Sequence, residues 1–457
     1  MSTNYQYDAI VIGTGQAGPP LARRLAAAGQ RVAIVERKLF GGTCVNTGCI
    51  PTKTMVASAY AARMAQRATE YGVTIGGGVA VDMKRVKARK DAVSGKSRDG
   101  LEQSLKTLEN CTVYQAHARF VSPDTVSVGT DTLTANQIFI DVGGRAAVPA
   151  IPGLDQTRYF NNSDMMEVDF VPRHLIIVGG SYIGLEFAQM FRRFGSDVTI
   201  LERRSRLVPN EDQDVSVAMK EFLEAEGIDI RLNATSFGFS KESGNVIARG
   251  DGLATVSGSH VLIATGRRPN TDDLGLENAG VKTNERGFIE VDDQLRTSVP
   301  GIWALGDCNG RGAFTHTSYN DFEIVAANLL DNDPRRVSDR IVTYAIYTDP
   351  PLGRAGMTEA EVRKTGKPAL IGNRPMTKVG RAVEKGETYG FMKILIDAET
   401  KLILVAAILG TGGDEAVHSI LDVMYARAPY TVIQRAVHIH PTVCELIPTM
   451  LGELKPL

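Results

Sequence analysis

The sequence predicts an α/β fold with two Rossmann-like units and a C-terminal α+β domain. Three observations carry that prediction. The stretch YDAIVIGTGQAGPPLARRLAAAGQRVAIVERK returns later as HLIIVGGSYIGLEFAQMFRRFGSDVTILERR. Each copy reads as a short apolar run, a glycine turn, an amphipathic helical stretch, a second apolar run and a closing acid. From about residue 340 the chain changes to mixed strand-like and helix-like segments (GFMKILID, KLILVAAILG, EAVHSILDVMYARA) without a glycine motif of their own. A length of 457 residues suits about three domains.

In the first unit the glycines are Gly13, Gly15 and Gly18, and Glu36 follows Gly13 by 23 residues. The first glycine makes the tight turn, the second lets backbone N–H groups approach a pyrophosphate, and the third packs helix against strand. The terminal carboxylate accepts from a ribose hydroxyl. Pro19 and Pro20 follow at once, and proline fits only a helix's first turn, so this helix must start late or bend. The second unit has Gly179, Gly180 and Gly184, with Ser181 in the middle-glycine position and Glu202 again 23 residues on. Turn-rich strands separate the two units. HVLIATGRRPNT, which contains Gly266, and VPGIWALGDCNG, a strand running into an acidic turn, come after the second.

Composition excludes several function classes. Lys plus Arg (51) nearly balance Asp plus Glu (52), so no bulk charge draws the chain to nucleic acid or an anionic membrane. The basic run KRVKARK at 84–90 has no interleaved aromatics and reads as a solvated helix face. The longest apolar run, LILVAAIL, is far shorter than the roughly 20 residues that span a bilayer. MSTNYQYDAIVIG lacks the pattern of a signal peptide, and five cysteines do not suggest a secreted disulfide framework. A cytoplasmic location is the expectation. In a reducing compartment, Cys44 and Cys49 of GGTCVNTGCIPTK read as catalytic or metal-binding rather than structural. A structural zinc site needs two further ligands, and none lies nearby, so no resident metal is expected.

GGTCVNTGCIPTK, YIGLEFA, ATGRRPN, ALGDC and HPTVCE together resemble the pyridine nucleotide–disulfide oxidoreductases, in that family's order and spacing along essentially the whole chain. The resemblance implies an FAD domain over 1–150 and 270–340, an NAD(P) domain over 151–269, and a dimerisation domain over 341–457. It implies that FAD is held by Gly13, Gly15, Gly18, Glu36, Thr43, Lys53, Ala118, Gly143 and Asp307. NAD(P)H falls to Gly179, Gly180, Tyr182, Gly184, Glu202, Arg203 and Gly266, with Tyr182 covering the nicotinamide pocket. Lys53 and Glu186 match an ion pair beside the flavin, a pairing that also makes sense because an unpaired buried charge is costly. Cys49 is the flavin-side thiolate and Cys44 the exchange thiol. His440, oriented by Glu445, is the base that the second subunit of a homodimer supplies. His438 reads as supporting His440, Cys111 and Cys308 as core, and Cys444 as a passive thiol. One departure is Ile140-Asp141-Val142-Gly143, where relatives read Ala-Thr-Gly and only Gly143 matches.

Glu202 favours the free 2′-hydroxyl of NADH, while Arg203, Arg204 and Arg206 follow it and Arg203 matches an NADPH-dependent relative's arginine. The acceptor reads as a small disulfide or soft metal ion. Arg23 matches glutathione reductases, but Leu101 and Asn328 replace further glutathione contacts. TMLGELKPL lacks the cysteine pair of mercuric reductases. AFTHTSYNDFEIV instead resembles mercuric-reductase-like proteins of bacterial oxidative and reactive-chlorine defence. The alternatives are a dihydrolipoamide dehydrogenase and, in another class, a flavin/thiol redox sensor without turnover.

Overall fold

The two glycine-turn copies form two parallel sheets in a computed structural model that describes residues 3–457; four strands follow the same order in both, while the edge strand comes last in the chain in the first sheet and first in the second. The first runs Ile302–Ala304, Gln137–Ile140, Ala9–Ile12, Val32–Val35, Cys111–Tyr114. The second runs Tyr159–Phe160, His260–Ile263, His174–Val178, Asp197–Leu201, Asp229–Arg231. Both are parallel throughout, and the central strands AIVI, VAIV and HLIIV are buried almost end to end. Continuous Val/Ile runs are what a sheet covered on both faces requires.

The chain leaves the first sheet and returns to it. Gly144–Ala146 pairs antiparallel with Arg267–Pro269, and Ile302–Ala304 then pairs with Ile138–Ile140. An antiparallel sheet over Phe237–Gly258 flanks the second unit, and a mixed sheet that includes Ala118–Ser122 flanks the first. From Thr343 a six-stranded antiparallel sheet carries short helices on its face.

The two prolines act as their backbone demands. The first glycine-turn helix spans Gly18–Ala27 and takes Pro19 and Pro20 into its first turn. The second spans Tyr182–Phe194 and begins two residues before Gly184. The first helix therefore starts at its third glycine, two residues later than its counterpart. The basic run departs from its expectation. It lies on the helix Met83–Lys106, where Arg89 donates to the Thr54 carbonyl of the cysteine helix at 2.8 Å. Lys90 is buried and paired with Asp91. Within the run itself, Lys84, Arg85, Ala88 and Arg89 are exposed, while Val86 and Lys87 are half-buried and Lys90 is buried.

The C-terminal sheet is fastened to the second unit by buried charge. Arg354, 1% exposed, reaches Asp212 at 2.9 Å and Glu211 at 3.6 Å. Lys393, fully buried, reaches Asp212 at 2.9 Å and Asp214 at 2.8 Å, and Tyr344 donates to Glu211. Such a cluster adds little over apolar packing, but breaking it strands a buried charge. No helix among the described residues is long and apolar enough to cross a membrane. Replacing Arg354 with Met should cost about 3–5 kcal/mol, read as a lower urea midpoint. An unchanged midpoint would mean that Lys393 neutralises both acids alone.

Candidate active site

Two helices bring the thiols together. Cys44 lies on the short helix Gly42–Asn46, and Cys49 opens the 18-residue helix Cys49–Gln66. Both are free thiols. Cys49 also lies 3.0 Å from the Thr315 hydroxyl, the first residue of the helix Thr315–Ala326. The hydrogen bond from Cys44 pushes the Cys49 thiol down to about 6, and Thr315 and the Lys53 ammonium act the same way against the opposing effect of burial. The same bond, with burial and the Cys49 charge, holds Cys44 far above its ordinary range. The reduced pair thus shares one proton. Cys49 is the thiolate at neutral pH, and Cys44 becomes nucleophilic only when a base takes its proton.

Lys53 lies one helical turn beyond Cys49. Its ammonium is 2.9 and 2.7 Å from the two Glu186 carboxylate oxygens, and 4.5 Å from the Tyr347 ring centroid. Glu186 is 4% exposed and also accepts from the Tyr347 N–H at 3.0 Å. His440 and Glu445 meet at 2.9 Å, yet the His440 side chain is 80% exposed and makes no hydrogen bond to Cys44 of its own chain. Val437 and Ile439 beside it are fully and 79% exposed. His440 is thus presented outward on an exposed apolar segment. His438 donates from Nδ1 to Ala436 O at 3.3 Å, and Cys444 is half-buried. Cys308 is buried as expected, while Cys111 is only half-buried.

Two cavities meet at this point. One of about 1040 Å³ is lined by Gly13, Gly15, Glu36, Thr43, both cysteines, Lys53, Ala118, Gly143 and Asp307. Gly18 is buried behind its turn and does not line it. A side chain on Gly13 would come within 2.1 Å of Asp141 O, so this turn admits only glycine. Glu36 braces the turn, accepting from Thr14 Oγ1 at 2.6 Å and from the Lys38 N–H at 2.8 Å. A long groove with a bare glycine turn, a ribose-competent carboxylate and a charged pair at its floor fits a flavin dinucleotide. The second cavity, of about 2380 Å³, is lined by Gly179, Gly180, Tyr182, Glu202, Arg203, Arg204 and Gly266. Glu202 repeats the bracing, accepting from the N–H of Gly180 at 2.6 Å and of Arg204 at 2.7 Å. Gly184 is buried behind the second turn, just as Gly18 is behind the first. Tyr182 lines both cavities and packs on Phe314, with ring centroids 5.7 Å apart.

Sequence reasoning missed three residues. Thr315 reaches Cys49 across 266 positions, and no local spacing announces it. Tyr347 arrives from the C-terminal sheet. Arg267, which ties Gly144 O at 2.5 Å and Asp307 at 3.4 Å, follows Gly266 directly in ATGRRPN and was within reach of that motif. No cluster of three or more His, Cys, Asp or Glu side chains suited to a metal ion occurs among the described residues.

Comparison with known proteins agrees with this geometry. Residues 7–321 match the family model described as pyridine nucleotide-disulphide oxidoreductase, and residues 342–451 match its dimerisation domain. The chain is 36% identical to the probable pyridine nucleotide-disulfide oxidoreductase RclA of Escherichia coli, over 98% of this chain and 100% of that protein. It is 32% identical to a dihydrolipoyl dehydrogenase of Haloferax volcanii and to a mercuric reductase of Streptomyces lividans, each over 96% of this chain and 94% of theirs. A solved structure titled HOCl-induced flavoprotein disulfide reductase RclA superposes with TM-score 0.90 at 35% identity, covering 98% of this chain and 99% of that one. Its Cu(II) complex gives 0.89 at 35%, covering 97% and 99%.

Removing the Thr315 hydroxyl should raise the Cys49 pKa by about one unit. Thr315→Val should shift the pH profile of iodoacetamide alkylation upward, and Thr315→Ser should restore it. A Val profile identical to the parent would show that the hydroxyl plays no part.

Proposed function

The chain belongs to the pyridine nucleotide-disulphide oxidoreductase family, and on that footing we propose that it is an NAD(P)H-dependent reductase whose Cys44–Cys49 pair reduces a small disulfide or a soft metal ion. The family is FAD-dependent and uses NAD(P)H, and its dimerisation domain implies a homodimer. The single observation that carries the reading is the placing of Cys44 and Cys49 with the Lys53–Glu186 ion pair on the wall of one cavity, beside the tyrosine that it shares with the second.

Bound FAD supplies the two-electron link between the nicotinamide hydride and the Cys44–Cys49 disulfide. The residues of the chain do the rest. Tyr182 stands between the cavities and is displaced when nicotinamide enters. Lys53 steadies negative charge at Cys49, and Glu186 keeps that ammonium in place. His440 of the second subunit takes the Cys44 proton, with Glu445 fixing the imidazole. Cys44 then attacks one sulfur of a disulfide acceptor and the other leaves as a thiol. Cys49 closes back on Cys44 and releases the second thiol, which regenerates the disulfide. A soft cation such as Hg(II) or Cu(II) accepts electrons from the same thiolates. The solved structures titled for Cu(II) complexes of RclA support including copper in this class. Dihydrolipoamide is the second reading, run in the reverse direction, and its support is the 32% identity to a dihydrolipoyl dehydrogenase over nearly the whole chain.

The test is anaerobic oxidation of NADH and NADPH with lipoamide, glutathione disulfide, small disulfides, Hg(II) and Cu(II). Turnover with at least one acceptor, abolished in Cys44→Ser, is expected. Flavin reduction without turnover across the panel would favour a sensor. His440→Ala should lower turnover about 10²–10⁴-fold. Mixing His440→Ala with Cys44→Ser subunits should restore roughly a quarter of the parental activity if the base acts across the dimer. No restoration would place His440 on its own subunit's thiols.

A further inference from the structure

The chain contains its own control for one unusual residue. The strand Gln137–Ile140, which Asp141 follows, holds the place in the first unit that the strand His260–Ile263, followed by Ala264, holds in the second. A side chain added to Gly13 would strike Asp141 O, and one added to Gly179 would strike Ala264 O. Where the second unit has a methyl group, the first has a carboxyl. That carboxyl is 4% exposed and accepts from the Gly18 N–H at 2.7 Å. It lies directly behind the turn, because a side chain on Gly15 would meet Asp141 Oδ2 at 2.8 Å.

The same helix end has lost its other donors. Gly18, Pro19 and Pro20 are its first three residues, and the prolines have no N–H. In the second unit the corresponding helix starts two residues earlier, Tyr182, Ile183 and Gly184 keep their N–H groups, and no side-chain cap is present. The first helix N-terminus is therefore capped from behind by a carboxyl, at the place where a dinucleotide pyrophosphate brings further negative charge. The groups around Asp141 offer it little positive charge. Asp307 and Cys308 face it from the acidic turn, and Asp321 faces it from the helix Thr315–Ala326. Arg267 pairs with Asp307 and Arg340 with Asp321, and Glu36 across the cavity is engaged by Thr14.

We propose that Asp141 is a proton-bearing cap of the flavin-dinucleotide site, a carboxylic acid while the pyrophosphate is bound, whose ionisation loosens the cofactor. The inference rests on the reading that FAD fills the first cavity. Burial, with Asp307 and Asp321 nearby, keeps the group protonated well above the ordinary carboxylate range, consistent with that role. As a neutral acid it satisfies the Gly18 N–H and sets no second anion against the phosphates. Asp141 is a positioning residue. It takes no part in electron transfer.

Release of FAD is followed as recovery of free flavin fluorescence on dilution of the holoprotein, from about pH 6 to about pH 9. Release from the parent is expected to accelerate with pH, approaching tenfold per unit as the acid ionises. Asp141→Asn, neutral and of the same shape, should give a flat profile. Asp141→Ala should also be flat but faster, because the Gly18 N–H loses its acceptor. A flat parental profile, or three profiles rising in parallel, overturns the proposal. If the Asn variant retains no flavin, titration calorimetry of the parental apoprotein with FAD, in two buffers of different ionisation heat, decides. Uptake approaching one proton at alkaline pH supports the cap and no uptake overturns it. Failure of the parental protein to bind FAD at all would overturn the cofactor reading itself.

Discussion

One buried carboxylate holds the three parts of this molecule to a single point. Glu186 comes from the helix Tyr182–Phe194 of the second unit, takes the Lys53 ammonium from the cysteine helix of the first, and accepts the Tyr347 N–H from the C-terminal sheet. At 4% exposure it needs both partners, since an isolated buried carboxylate is strongly disfavoured. Its pairing fixes how deep Lys53 sits, and Lys53 shares a helix face with Cys49 one turn away. The position of the thiolate is thus set by an ion pair between domains, not by the cysteine loop alone.

The thiols depend on that frame and on each other. Two sulfurs in hydrogen-bond contact cannot both be comfortable anions, so one proton between them divides the labour. Cys49 gains the negative charge because Lys53, the Thr315 hydroxyl and the start of its own helix all favour it there. Cys44 keeps the proton and is inert until a base arrives. The imidazole of His440 is held by Glu445 and lies exposed among Val437 and Ile439, with no hydrogen bond to Cys44 of its own chain. Exposed aliphatics flanking a preoriented imidazole are what a subunit interface leaves behind when its partner is removed.

What the sequence made legible were features written in local spacing. Cys44 and Cys49 with Lys53, His440 with Glu445, and the glycines with their closing acids sit within one or two turns of each other or repeat a known period. The late helix start at Pro19 and Pro20 was legible too, because proline has few places in a helix. Thr315 and Tyr347 were not, because tertiary folding alone brings them to the sulfur and the lysine. The buried cluster of Arg354 and Lys393 against Glu211 and Asp212 was hidden for the same reason: charged residues read as surface unless their partners are known. The basic run misled in the same direction, since Lys90 is buried behind its ion pair rather than solvated.

The two copies of the repeat also differ in how their glycine turns are finished. In both copies the closing glutamate braces its own turn through the same pair of backbone donors, so the ribose end is common to the two sites. The phosphate ends diverge. The second helix keeps three N–H groups in its first turn with no side chain on them, beside a wide cavity edged by the exposed Arg203 and Arg204. Free donors and exposed cations favour capture of an anionic dinucleotide. The first helix has two prolines and a carboxyl instead, within a smaller cavity closed by the acidic turn at Asp307. Such a site has little bare electrostatic pull and relies on enclosure and fixed geometry, which slows exit as well as entry. A reductase that consumes one dinucleotide per turnover while keeping another in place needs that difference between its two sites.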